Sequence, residues 1–311
     1  MIGVGGRPAE GTEATSGATL RSSPPWSGPG RTAAGGPIAR LLQEKKILVG
    51  CIFLVVMVGS TVFAPMLSPF NPDHQDLGAR LRPPAWAGGS WDHPLGTDHL
   101  GRDMLSRIMF GGRVSLLIGA VAVLVSGTIG VTLGLLAGYF GGRLDAILMR
   151  IADVQLAFPQ LLLVLLVLVI FGRSIVAIVA VLALADWVLY ARLVRGRLLV
   201  ETQKEYVQAA TAIGARGGRV MVRHLLPNLA PLIVVIATLE VALMILLESS
   251  LSYVGVGVEP PTSSWGRMLN DGQPYAAVAW WVSTLPGLAI VITVLGVNFL
   301  GDGLRQKLGV E

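Results

Sequence analysis

Apolar positions in this chain fall in six long blocks, near residues 47–67, 114–139, 151–171, 175–191, 229–254 and 280–300, with polar residues collected between them. No run shows the apolar–polar alternation of a half-buried strand, and each is close to the roughly 20 residues that carry a helix across about 30 Å of hydrocarbon. The pattern predicts an all-α integral membrane protein with six transmembrane helices. The first block is the plainest: Lys45 and Lys46 precede it, and no charge interrupts it from Ile47 to Ala64. It lies too deep, and without a clear cleavage site, to be a cleavable signal peptide. Residues 1–40 are rich in Gly, Pro, Ser, Ala and Arg and have no periodicity, so they are expected to form a disordered cytoplasmic tail ahead of one transmembrane domain over 41–311.

Composition agrees. The chain is 53% hydrophobic and 14% charged, against about 25% charged in soluble domains. Its four lysines all lie in the segments on one side of the predicted spans, as do Arg143, Arg150, Arg192, Arg195, Arg197, Arg216, Arg219 and Arg223. On the other side Asp73, Asp76, Asp92, Asp98, Asp103, Glu259 and Asp271 largely balance the cations. The positive-inside bias therefore predicts that both termini and the 192–227 segment are cytoplasmic. The net charge of +5 reflects that sidedness, and no nucleic-acid-binding motif accompanies it. Cys51 is the only cysteine, so no internal disulfide can form.

Four acids fall within or at the edge of the apolar blocks. A carboxylate at mid-bilayer costs about 2.5–3.5 kcal/mol on insertion scales unless it faces a cavity or a partner. Glu240, Glu248 and Asp186 are thus candidates for lining a translocation path, while Asp153 lies near a membrane face. Gly130, Gly134 and Gly138 recur every four residues and give one helix a close-packing face. In 103–109, Met104, Leu105, Ile108 and Met109 share one face and Asp103, Ser106 and Arg107 the other, the pattern of a helix lying along the bilayer interface.

The basic stretch EYVQAATAIGARGGRVMVRHLLP, residues 205–227, predicts a short helix, a break at Gly214, and a second helical run to Pro227. It resembles the cytoplasmic coupling loop of ABC-importer permeases, E-A-A-x3-G-x9-I-x-L-P. Ala209, Ala210, Gly214, Leu226 and Pro227 fall in register, while Gln208 and His224 depart from it. The ending Arg223–Asn228 is similar to the peptide-importer branch. HPLGTDHLGRDMLSRIMF resembles that branch's H-P-x-G-T-D-x-x-G-R-D-x-x-S-R signature through Gly96, Thr97, Asp98, Gly101, Arg102, Asp103, Ser106 and Arg107. Residues 248–272 resemble a further signature through Pro261, Trp265 and Gly266, with Trp265 expected as an aromatic anchor at the interface.

The resemblance implies a type I ABC-importer permease bundle, similar to the second permease of dipeptide and oligopeptide systems, in the bacterial cytoplasmic membrane. Glu205, Tyr206, Gln208, Ala209, Ala210, Gly214, Ala215, Arg223, His224, Leu226 and Pro227 would then form the ATPase-coupling element. Implied partners are a homologous permease subunit, two ATPase subunits, an extracytoplasmic binding protein and a peptide cargo, besides membrane lipid. Asp186 stands where the family implies a small uncharged residue. The chain has no Gly-Lys pair and so no Walker motif, which assigns ATP and Mg to partner subunits and leaves this chain without cofactor or catalytic residue. His93 and His99 are read as loop histidines, not metal ligands. Nickel chelates or glutathione are alternative cargoes within the family, and a proton-driven transporter using Asp186 and Glu240 is the rival outside it.

Overall fold

Residues 45–309 are described by the computed structural model, so the call on the 1–40 tail lies outside the described residues. Helix α1 spans Lys45–Val62 and α2 Ala64–Leu67. Pro65 explains the break between them: it has no N–H for the fourth-back carbonyl, so the helix restarts with proline in its first turn. The polar loop to residue 103 holds two single 3-10 turns, and its one bridge, Thr97 to Asp103, is the only extended pairing among the described residues.

Helix α3 (Met104–Phe140) has 37 residues, about 55 Å at 1.5 Å per residue, so it spans the hydrocarbon and projects beyond it. The expected interfacial helix over 103–109 is not separate; it is the first turns of α3. Its polar face, moreover, is enclosed: Asp103, Ser106 and Arg107 are buried, as is Met104 on the apolar face, while Leu105, Ile108 and Met109 are half-buried. Asp103 caps the helix by accepting from the Ser106 backbone N–H at 2.8 Å.

The block predicted as one span over 151–171 is broken. Helix α4 (Gly142–Leu156) and α5 (Gln160–Phe171) meet at 87°. Pro159 sits at the corner and bars its predecessor Phe158 from helical geometry. Helix α6 (Ile175–Glu201) runs ten residues past the predicted end, because Arg192 and Arg195 extend it at the membrane edge and pair with Asp153 and Asp145 of α4. After it come α7 (Glu205–Ala212) and α8 (Gly217–Val220), then a π turn over Met221–Leu225 that leads into α9 (Leu226–Tyr253). Helices α10 (Trp265–Gly272) and α11 (Trp281–Leu308) complete the chain.

Among the described residues, four helical stretches are each long and apolar enough to cross a membrane: α3, α6, the continuous run Gly217–Tyr253, and α11. The bent α4–α5 pair makes a fifth, and Ile47–Val62 is a shorter apolar helix at the first predicted position. Large apolar side chains such as Leu166, Val169 and Val176 point outward, as they must where the solvent is hydrocarbon.

The seam between α3 and α6 organises the bundle. An added Cβ at Gly130 would lie 2.3 Å from the Trp187 carbonyl, and at Gly134 2.6 Å from that of Ala191. At Gly138 it would meet Leu198 Cδ2 at 2.8 Å. These glycines let two backbones approach within one chain. One apolar core joins α3, α5, α6 and α9 through Ile118, Leu168, Ile178 and Met244. A second joins α3, α9, α10 and α11 around Trp265 and Trp281. A third, at the opposite end of α3, holds Leu135, Leu198, Val207 and Leu225.

Candidate functional site

The basic end carries α7, whose Val207 belongs to the third core and whose Ala210 is also buried. The N–H of Ala215 reaches back to the Ala210 carbonyl at 3.1 Å and that of Gly214 to Thr211 at 3.0 Å, a pair of bonds that closes the helix and requires a left-handed residue. Gly214 supplies it with φ +82°, and nothing lies within 4 Å of where its Cβ would stand. Glu205, Gln208, Ala209 and Ile213 face outward, Ile213 at 86% exposure. The root of α7 is fixed by side chains: the Tyr206 hydroxyl donates to Glu201 at 2.8 Å and accepts from Asn228 Nδ2 at 3.0 Å. Gln208 Nε2 donates to the Gln203 carbonyl at 3.1 Å.

Beyond it the N–H of Leu226 reaches the Met221 carbonyl, five residues back, and makes the π turn. Pro227 follows in the first turn of α9. Asn228 Nδ2 also donates to the His224 carbonyl at 2.8 Å, and Arg223 is exposed. The predicted coupling residues therefore fall on α7, the turn after it, the π turn and the first turn of α9, and α7 itself has a supported inner face and an exposed outer face.

Midway along the bundle, α6 and α9 border a cavity of about 560 Å³ whose walls are apolar except for Asp186, Glu240, Arg192 and Gln160. Asp186 accepts from Ser126 of α3 at 3.4 Å, and Glu240 of α9 lines the same cavity. Glu248 is not part of this site. It lies two turns along α9 toward the loop end, completely buried, and accepts from Ser115 at 2.9 Å and Ser252 at 2.7 Å. Two satisfied hydroxyl bonds make it a tie between α3 and α9.

The loop end gathers the signature residues into one charge cluster. Asp98 is fully buried and accepts from Arg107 Nη1 at 2.5 Å, Arg102 Nε at 2.6 Å and the N–H groups of Leu100 and Arg102. Burial alone would raise its pKa, but the Arg107 and Arg102 guanidiniums and those two N–H groups outweigh that and hold it below the usual carboxylate range. Arg107 also donates to Asp271 at 3.1 Å and Ser263 at 3.1 Å. Asp271 is in turn bonded by Arg267 at 3.1 Å.

Gly101 turns with φ +75° where an added Cβ would stand 1.7 Å from the Asp76 carbonyl. Thr97 donates to the Ala79 carbonyl, and its own carbonyl accepts from Trp281 Nε1 at 3.0 Å. Gly96 is a left-handed turn beside them, and Gly266 lies against the Ser249 backbone. Trp265, expected at the interface, is instead a core residue whose Nε1 donates to the Ile108 carbonyl at 2.9 Å. Arg102, Arg107, Pro261, Arg267 and Asp271 line a polar pocket of about 480 Å³ at this end. His93 bonds Asp103 at 3.0 Å, and His99 stacks on Tyr275. No three His, Cys, Asp or Glu side chains converge as a metal site among the described residues.

Sequence reasoning missed Asp271 and Ser263 as partners of Arg107. The Arg267–Asp271 spacing of four was a signal for the first, and nothing local pointed to the second. It likewise missed Ser126 as the hydroxyl beside Asp186.

Comparison with known proteins places this geometry. Residues 130–309 match the model of the binding-protein-dependent transport system inner membrane component, and residues 38–84 that of the N-terminal TM domain of oligopeptide transport permease C. The dipeptide transport system permease protein DppC of Escherichia coli (strain K12) is 47% identical over 268 residues, which are 86% of this chain and 89% of that protein. The di/tripeptide transport system permease protein DppC of Pseudomonas aeruginosa (strain UCBPP-PA14) is 42% identical over 268 residues, 86% of this chain and 88% of that one. The probable D,D-dipeptide transport system permease protein DdpC of Escherichia coli (strain K12) is 38% identical over 275 residues, 88% and 91% of the two chains. With a family model that covers more than half of its length, this multi-pass membrane chain belongs to the binding-protein-dependent transport system inner membrane components.

Proposed function

We propose that this chain is the permease subunit of an ATP-driven importer that carries di- and oligopeptides across the bacterial cytoplasmic membrane. The observation that carries the reading is α7: a short helix anchored by Val207 and Ala210, closed at Gly214, with Ala209 and Ile213 left outward at the basic end. Small residues on an exposed helical face suit seating in a partner's groove. The relatives' shared description as peptide permeases supports the cargo.

In this reading the basic end and both termini are cytoplasmic, and the loop end faces the binding protein. Two ATPase subunits, which bind ATP and Mg, dock on α7 of this chain and on its counterpart in a homologous permease. Their closure moves α7 against the third core, and the bundle rocks to expose the path to alternate sides. The α6–α9 cavity borders that path, and the loop-end charge cluster holds the outer segment rigid while the rest moves.

The test is uptake of a labelled dipeptide by vesicles that contain this chain, the second permease and both ATPases. Uptake that needs ATP on the α7 side and binding protein on the other supports the reading. Uptake that survives without the ATPases would make the chain a proton-driven carrier and overturn it. Competition by a nickel chelate or glutathione, with none by dipeptides, would replace the cargo. Cysteines at Ser90 and Thr211 in a Cys51→Ala background check the orientation: only the first should react with an impermeant thiol reagent in intact cells.

A further inference from the structure

Three helices meet at the foot of α7, and one hydroxyl joins them. Tyr206, in the first turn of α7, donates its O–H to Glu201 at 2.8 Å, and Glu201 is the last residue of α6. The same oxygen accepts from Asn228 Nδ2 at 3.0 Å, and Asn228 lies in the first turn of α9. Both ends of this strap are held. Glu201 is buried and also accepts from Lys204 Nζ at 3.0 Å, while Asn228 Nδ2 donates its other hydrogen to the His224 carbonyl at 2.8 Å. The two helices so joined are the ones that border the 560 Å³ cavity.

The main chain from α7 to α9 is a poor lever by comparison. It runs through Gly214, Gly217 and Gly218, and a Cβ at Gly214 or Gly218 would meet nothing within 4 Å. Glycine leaves a backbone free to absorb a displacement. The chain then enters α9 through the π turn and Pro227, which has no N–H to give the helical ladder. Packing is the other route, since Val207 shares the third core with Leu198 of α6 and Leu229 of α9. Apolar contact has no direction, so it carries a push better than a pull or a twist. Hydrogen bonds are directional, and the Glu201–Tyr206–Asn228 bonds hold α7 in register with both cavity helices at once.

We propose that Glu201 and Asn228, joined through the Tyr206 hydroxyl, are the positioning residues that carry the movement of α7 to α6 and α9. The inference rests on the reading of α7 as the ATPase-docking helix. When a closing ATPase turns α7, the phenol draws the end of α6 and the start of α9 with it. Helix α6 contains no proline and reaches from Glu201 to Leu193 on the cavity wall, about 12 Å at 1.5 Å per residue. Without the strap the ATPases still dock and hydrolyse ATP, but the bundle follows them less faithfully.

The experiment uses vesicles with the complete importer: this chain, the second permease, both ATPases and loaded binding protein. The readout is dipeptide imported per ATP hydrolysed, beside the affinity of the ATPases for the permease pair. Tyr206→Phe cuts the strap in its middle, and Asn228→Ala cuts it at α9. Each should lower the ratio about fivefold, the factor that one net hydrogen bond is worth. Asn228→Ala should leave ATPase affinity near wild type, since Asn228 is not on α7. The double variant should fall no further than Tyr206→Phe, because both changes remove the same bond. A wild-type ratio in both single variants would overturn the proposal and leave the third core as the carrier. Losses that multiply to about 25-fold in the double variant would make the two residues independent and overturn it too. Weaker ATPase binding at an unchanged ratio would reduce the network to a scaffold for α7. Import by the wild type without ATPases would sink the importer reading and the strap with it. If one variant fails to assemble, the ratio in the other decides.

Discussion

At the loop end of this protein Arg107 is enclosed and meets Asp98, Asp271 and Ser263, and the buried Trp265 donates to the Ile108 carbonyl. At the basic end α7 rests on the buried Val207 and Ala210 and on the Tyr206 hydroxyl bonds at its root, and turns Ala209 and Ile213 outward. Both regions carry family signatures and both are rich in arginine, yet they are finished differently. The first has its charges paired inside the chain. The second has its inner face satisfied and its outer face bare, the state of a surface that is completed by another subunit. A signature motif can therefore mark either a rigid support or a docking element, and what separates them is whether the side chains find their partners within the fold.

The largest effect should follow from breaking the loop end. Arg107→Ala leaves the buried Asp98 with one guanidinium fewer and should destabilise by about 3–5 kcal/mol, read as a drop in the thermal midpoint of the purified protein. Arg107→Met together with Asp98→Asn removes both charges and should cost less than the single variants added together. A midpoint unchanged by Arg107→Ala would mean that the cluster does not support the outer segment.

At the basic end Ala209→Trp should leave that midpoint near wild type, because the side chain projects outward. It should instead weaken ATPase binding by about 1–3 kcal/mol through overpacking, measured as the affinity of purified ATPase for the permease pair. Gly214→Val should act more mildly on docking and add roughly 1–2 kcal/mol of backbone strain, since φ is +82° and the space around the site is open. If Gly214→Val matches wild type in both affinity and midpoint, the turn is not required as built.

The smallest expected effect sharpens the comparison by pH. Burial lowers the pKa of His99 below its ordinary 6.5. The unfolded chain therefore binds a proton that the folded chain resists, and stability should fall as pH drops below 6.5 toward the folded value. His99→Gln should flatten that part of the midpoint-against-pH curve, and an identical curve in wild type and variant would remove His99 as its source. Asp98 is shifted down and should contribute nothing to the curve near neutrality, its stabilisation being lost as pH falls from the ordinary 3.8 through its lower folded value.

Much of this architecture is readable from the chain. The six apolar blocks all land on helices, and the break at Gly214 and the proline start of α9 fall where their backbone chemistry requires. What was not legible is tertiary in origin. Pro159 signals a possible end to a helix but not an 87° corner. The amphipathic pattern of 103–109 suggested an interfacial helix and did not show that its polar residues are enclosed, because Asp271 and Ser263, more than 150 residues away, supply partners for Arg107. Asp186, Glu240 and Glu248 looked alike as intramembrane acids, and only the hydroxyls of Ser115 and Ser252 set Glu248 apart. Local pattern fixes which groups need partners, while the fold decides who those partners are.

The central claim is that α7 transmits ATPase motion to the path while the loop end only holds its shape. The most direct measurement is ATP hydrolysis and dipeptide uptake, recorded side by side in reconstituted vesicles that carry Ala209→Trp. The account predicts a folded bundle that has lost both uptake and the stimulation of hydrolysis by loaded binding protein. Uptake and stimulated hydrolysis at wild-type rates would contradict it and reduce α7 to a linker.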